Sequence, residues 1–170
     1  MGDLDRLRAA FGDSPDRIDE PDDQGCSPLF YAAKNNRPAA VAYLLQQGAD
    51  VNTSTLNGET AVSTATLHTL SQECDLDMLQ GLVDAGAEYA IRTAIALNNR
   101  GRVDALLDED PKLANDRTDH GPIDYAIHTW KPDIIKPLIQ RGSELTEEEI
   151  GHVARIAAMK GVTVESILNA

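Results

Sequence analysis

Aromatic side chains are scarce in this chain. Phe, Tyr and Trp make up 4% of its 170 residues, and there is a single Trp. A core must therefore be built from Ala, Leu, Ile and Val, which suits close-packed helices better than a β-sandwich. Basic residues are also few: 15 Lys and Arg stand against 28 Asp and Glu, a formal charge of −13. Such a surface repels nucleic acid and anionic membranes, because the phosphate attraction that drives those contacts has the wrong sign. It suits a basic partner, or serves solubility alone. The two cysteines, Cys26 and Cys74, form no CxxC pair and give no disulfide or metal-ligand framework. No apolar run is long enough to span a bilayer. The opening stretch MGDLDRLRAAFGD has neither a positive n-region nor an apolar h-region, and Arg6 stands where a myristoylation signal wants Ser or Thr. The expectation is a cytoplasmic protein in a reducing setting, of a length that fits one domain with a substantial core.

What the chain does have is punctuation. In SPLFYAAKNNRPAAVAYLLQQGADVN (27–52), Ser27 is a good N-cap and Pro28 occupies the first helical position, where its missing N–H costs nothing. Leu29, Ala32 and Ala33 form a short apolar stripe, and Asn35-Asn36 interrupts it. A second helix is predicted from about Pro38 to Gln47, with Val41, Leu44 and Leu45 on one face. Gly48 ends it, and Asp50 and Asn52 make a turn. The pattern returns. Gly58 follows Gly25 by 33 residues, Thr60 takes the place of Ser27, Leu82-Val83 that of Leu44-Leu45, and Gly86 that of Gly48. This second unit is longer by five residues, which fall around Thr69–Asp75.

A third unit is compressed: Ala90–Leu97 enters a helix directly, and Val103, Leu106 and Leu107 mark its partner. The fourth, GPIDYAIHTWKPDIIKPLIQRGSEL (121–145), pairs a helix starting at Pro122 with one lined by Ile134, Ile135, Leu138 and Ile139. Pro137 inside that second helix predicts a kink or a shortening. Before the first unit, Leu4, Leu7 and Ala10 share one face and predict an N-terminal capping helix. After the last, Thr146 to Glu149 reads as a capping box opening a helix faced by Ile150, Val153, Ile156 and Ala157. Gly161 stops it, and a short helix is predicted over about Thr163–Leu168.

A turn–helix–helix period near 33 is the signature of a solenoid. Asp22, Gly25, Ser27, Pro28, Leu29, Ala32, Ala33, Leu44, Leu45 and Gly48–Asn52 follow the pattern D-x-x-G-x-T-P-L-H-x-A-A … L-L … G-A-D-V-N. The chain resembles the ankyrin-repeat family over nearly its whole length. The resemblance implies an all-α ankyrin-repeat solenoid of about four helical-hairpin units with capping helices at both ends. As a single domain it divides into an N-terminal cap (1–21), repeat 1 (22–54), repeat 2 (55–89), short repeat 3 (90–115), repeat 4 (116–145) and C-terminal caps (146–170). It departs from the family pattern where Phe30, Ser63 and Asp124 replace the usual His, and where repeat 3 lacks its turn.

No chemistry-bearing motif stands out. His68, His120, His128 and His152 occupy no HExxH or Cys/His metal spacing, and no GxSxG or phosphate-binding loop is present. The acids Asp13, Asp16, Asp19, Glu20, Asp22 and Asp23 do not follow the EF-hand order. Neither cysteine has the surroundings of an activated thiolate. No catalytic residue, metal or cofactor is therefore expected.

The family resemblance implies partner binding by turn tips and by the ends of the first helices. The tips are Asp23, Gln24 and Cys26, then Leu56, Asn57 and Glu59, then Arg117, Thr118 and His120. The helix ends are Lys34 and Asn35, Leu67 and His68, and His128 and Thr129. Trp130, in a tight turn, is a candidate anchor, since interface hot spots are enriched in Trp. The expected function is a non-catalytic protein–protein interaction module, monomeric when free, that engages a basic protein; a sharper form is an inhibitor or immunity-type protein that blocks a basic enzyme. The alternatives are a structural scaffold and, from a different class, a small hydrolase or metal-dependent enzyme using Asp119, His120 and Asp124.

Overall fold

A computed structural model describes residue 9 and residues 17–71, 74–118 and 120–168. The expected N-terminal helix with Leu4, Leu7 and Ala10, the acids Asp13 and Asp16, Asp119, and Gln72-Glu73 of the 69–75 insertion lie outside the described residues. The chain divides into two compact units, Met1–Tyr89 and Ala90–Ala170.

In the first unit, α1 (Pro28–Lys34) pairs with α2 (Pro38–Gln46), and α3 (Ala61–His68) with α4 (Leu76–Asp84). The starts follow the expected logic. The Ser27 hydroxyl accepts from the Phe30 N–H at 3.2 Å, and Pro28 takes the first turn. Thr60 and Ser63 cap each other's backbone, and the Asp75 carboxylate accepts from the Met78 N–H at 2.9 Å. Each cap satisfies a donor that the helix itself leaves unpaired. α1 packs on α3 and α2 on α4, so the two hairpins lie side by side. Leu29, Phe30, Ala33, Val41, Leu44, Ala65, Leu79 and Leu82 fill the space between them.

The second unit repeats the arrangement with α5 (Ile91–Ala96), α6 (Arg100–Glu109), a 3₁₀ turn over Pro111–Asn115, α7 (Pro122–His128) and α8 (Pro132–Gln140). Then come α9 (Glu147–Lys160) and α10 (Val164–Leu168). α5 packs on α7, α6 on α8, and α9 and α10 against α7 and α8 respectively. Thr146 and Glu149 form the expected capping box, and Gly161 ends α9 at φ +70°.

The endings of α2, α4 and α8 share one device. Ala49, Ala87 and Ser143 each donate their N–H to the carbonyl of a fully buried leucine five residues back, Leu44, Leu82 and Leu138. The glycines between, Gly48, Gly86 and Gly142, sit at φ +88°, +94° and +96°. A non-glycine residue would bring its Cβ against the preceding carbonyl there. The asparagine after the turn then locks the neighbouring hairpin. Asn52 donates to the Gly86 carbonyl at 3.1 Å and accepts from the Glu88 N–H at 2.8 Å. Asn115 does the same to Gly142 and Glu144, at 2.7 and 2.9 Å.

Three expectations need correction. Of Val103, Leu106 and Leu107, expected to mark α6, Val103 and Leu107 are buried while Leu106 is half-exposed. Pro137 does not shorten α8, which keeps nine residues. Pro137 has no N–H to offer the Asp133 carbonyl one turn back, in the first turn of the helix. Ile150 is exposed, so the buried face of α9 is Glu149, Val153 and Ala157.

Candidate partner-binding surface

In the first unit, the turn before α1 is organised by Asp22. Its carboxylate accepts from the N–H groups of Gln24 and Cys26, both at 2.9 Å, and from the Tyr31 hydroxyl at 2.6 Å. These bonds favour the ionised form, the Tyr31 bond most, and hold the Asp22 carboxyl below its ordinary 3.8. The same bond pushes the Tyr31 hydroxyl up to about 12. The tip is thereby fixed with Asp23 and Gln24 exposed and Cys26 half-buried. A second tip lies against it: the Leu56 N–H donates to the Gln24 carbonyl at 3.1 Å. A Cβ on Gly25 would stand 2.9 Å from the Leu56 nitrogen, so the close approach of the two tips requires glycine. Leu56, Asn57 and Glu59 are exposed.

The ends of α1 and α3 differ in duty. Lys34, Asn35 and Leu67 are exposed, with the Lys34 ammonium 5.6 Å from the Phe30 ring centre. His68 instead places Nε2 2.6 Å from the Lys34 carbonyl, tying the end of one helix to the next. The geometry gives His68 a structural bond that the sequence did not announce. Tyr31 was missed altogether. It is 43% exposed on α1, and with Leu56 at 77% and Leu67 at 43% it supplies apolar area on this unit. Its counterpart in repeat 4, Tyr125, is fully buried, so residue type alone could not separate them.

In the second unit, Arg117 reaches the Glu149 carboxylate at 2.5 Å and also donates to the Glu144 carbonyl. Thr118 bonds Asp116 through both N–H and hydroxyl. Both remain exposed, but each has a partner within the fold. Gly121 follows directly: a Cβ there would stand 1.7 Å from the Asp116 carbonyl oxygen. His120, at φ +60°, places Nδ1 2.6 Å from one Asp124 oxygen, and His128 places Nδ1 3.0 Å from the other. His152 on α9 packs edge-on against His128, ring centres 4.7 Å apart, and burial holds its imidazole below the ordinary value. Thr129 bonds the Tyr125 carbonyl and is half-buried. Trp130 is also half-buried, at φ +50° in the turn between α7 and α8. Asn36 and Asn98 hold the corresponding turns of repeats 1 and 3 at φ +48° and +54°.

Cys74 is half-buried, and that burial pushes its thiol up to about 11, far from a reactive thiolate. No helix among the described residues is long and apolar enough to cross a membrane.

With the repeated caps and clamps in place, comparison with known proteins gives the lineage. The family description "Ankyrin repeats (3 copies)" matches residues 2–93. The chain belongs to the ankyrin-repeat family. Among solved structures, it is similar to a chain from the complex of a predatory endopeptidase from Bdellovibrio bacteriovorus with its immunity protein. Identity is 20%, the match covers 98% of this chain and 92% of that one, and the TM-score is 0.59. At that identity the likeness is one of fold. The all-α ankyrin architecture read from the sequence is thus the architecture of the protein.

Proposed function

We propose that this ankyrin-repeat protein is a non-catalytic interaction module that binds and blocks a basic partner enzyme, in the manner of an immunity protein. The observation that carries the reading is the charge. An excess of thirteen acidic groups sits on a repeat scaffold whose first tips present Asp22, Asp23 and Glu59 to solvent. Complementary charge steers encounter and raises association rates. The partner surface we assign comprises Asp23, Gln24, Lys34, Asn35, Leu56, Asn57, Glu59 and Leu67 in the first unit. In the second it comprises His120, His128, Thr129 and Trp130. Tyr31 joins the first set through its exposed ring. Cys26, Arg117 and Thr118 serve mainly by holding the tips in shape, and His68 by tying the ends of α1 and α3 together. The complex of an endopeptidase with its immunity protein, whose fold this chain shares, supports an enzyme as the class of partner.

Affinity capture from the native cell, followed by mass spectrometry and an activity assay, tests this. The expected result is a basic enzyme inhibited at one equivalent of this protein, with association slowing markedly between about 50 and 200 mM salt. Recovery of no basic protein, or an association rate that ignores salt, contradicts it.

A further inference from the structure

We propose that His120, Asp124 and His128 form a binding site for a divalent transition-metal ion of the zinc class. The proposal stands apart from the partner reading and does not depend on it.

The donor set is assembled by the fold from a simple spacing, H-x₃-D-x₃-H, which is neither HExxH nor a Cys/His run. Asp124 and His128 lie one turn apart on α7 and so share a face. His120 precedes the helix in a left-handed conformation that turns it back over the first turn. One ligand atom from each residue lies within 4.8 Å of the other two. Each oxygen of Asp124 faces a different imidazole, at 2.6 and 3.0 Å.

Two imidazoles and a carboxylate suit Zn²⁺, Co²⁺, Ni²⁺ or Cu²⁺, whereas Mg²⁺ and Ca²⁺ prefer all-oxygen shells. Zinc takes ligands at about 2.0–2.2 Å, which sets tetrahedral donors about 3.3 Å or a little more apart, so His120 Nδ1 and the Asp124 oxygen, now at 2.6 Å, must separate by about 0.7 Å or slightly more to admit the ion. The side chains have room for this, being 50%, 24% and 40% exposed for His120, Asp124 and His128. His128 can alternatively donate Nδ1–H to the Asp124 carbonyl at 3.0 Å, which leaves Nε2 as its ligand atom. His152, packed on His128, limits the swing of that ring. Three protein ligands leave at least one coordination position open, for water or for a donor from another molecule.

The test uses the untagged full chain, stripped with chelator, titrated with ZnCl₂ by calorimetry and with CoCl₂ by visible absorption. One ion per chain is expected. His120→Ala, Asp124→Asn and His128→Ala should each weaken binding by about tenfold or more, the loss expected when a metal site is disturbed. His68→Ala and a Cys26→Ser/Cys74→Ser double variant should leave it unchanged. Imidazole NMR signals of the wild-type chain supply a readout that needs no variant to fold: zinc should shift those of His120 and His128 and leave His68 in place. Absence of saturable binding, unchanged affinity in the three variants, or shifts at His68 alone would overturn the assignment.

Discussion

At the scale of single residues, stability rests on buried aliphatic side chains and on a few polar groups with fixed partners. Leu44 and Leu107 are sealed between helices, whereas Leu106, one position away, is half-exposed. Leu44→Ala and Leu107→Ala should each cost about 2–5 kcal/mol by chemical denaturation, because the cavity adds to the lost transfer energy. Leu106→Ala should cost clearly less, and equal losses at 106 and 107 would refute the register of α6. The Asp22–Tyr31 bond makes a second prediction. The carboxyl is depressed below 3.8, so its contribution is present above that value and is lost as pH falls through the folded-state titration. The hydroxyl is raised from 10.0 to about 12, so its contribution is present below 10.0 and is lost as pH rises through about 12. Between those limits the bond is intact. Tyr31→Phe should raise the Asp22 pKa, read by carboxyl NMR titration, since the Tyr31 hydroxyl is its strongest partner; an unmoved titration would show the backbone donors suffice.

At the scale of elements, the caps and the terminal glycines were legible because they are local. Ser27, Thr60, Thr146, Gly48, Gly86 and Gly142 act on backbone groups a few residues away, and the sequence carries that chemistry openly. Contacts between hairpins were less so. The bond from His68 to the Lys34 carbonyl and the clamps made by Asn52 and Asn115 join residues some thirty positions apart. The cluster of His120, Asp124 and His128 had a signal in its even spacing, but that spacing is neither HExxH nor a Cys/His run. Tyr31 was missed because only packing distinguishes it from buried Tyr125. The turn between α7 and α8 supplies a prediction at this scale. Trp130 holds a left-handed conformation that Asn36 and Asn98 adopt in sister turns, and such a conformation costs a bulky residue about 1–2 kcal/mol. Trp130→Asn should therefore stabilise the protein by about 1 kcal/mol in urea denaturation while weakening partner binding. A loss of stability would mean that packing of the indole, and not binding, accounts for the Trp.

At the scale of the whole molecule, the account joins a scaffold to a charge. The scaffold repeats a hairpin with variations: a lengthened second unit, a third that lost its turn, a fourth carrying the histidine cluster. Part of the charge, −13 over 170 residues, serves the scaffold, as at Asp22, Asp75 and Glu149, while exposed acids such as Asp23 and Glu59 are free to face a partner. On the proposed reading, partner binding falls to the exposed tips and first-helix ends. Hydrogen–deuterium exchange of the chain with and without its captured partner tests this most directly. Slowed exchange at 22–26 and 56–59, and at the ends of α1, α3 and α7, is the predicted result. Protection confined to the second helices α2, α4, α6 and α8, with the tips unchanged, would contradict it.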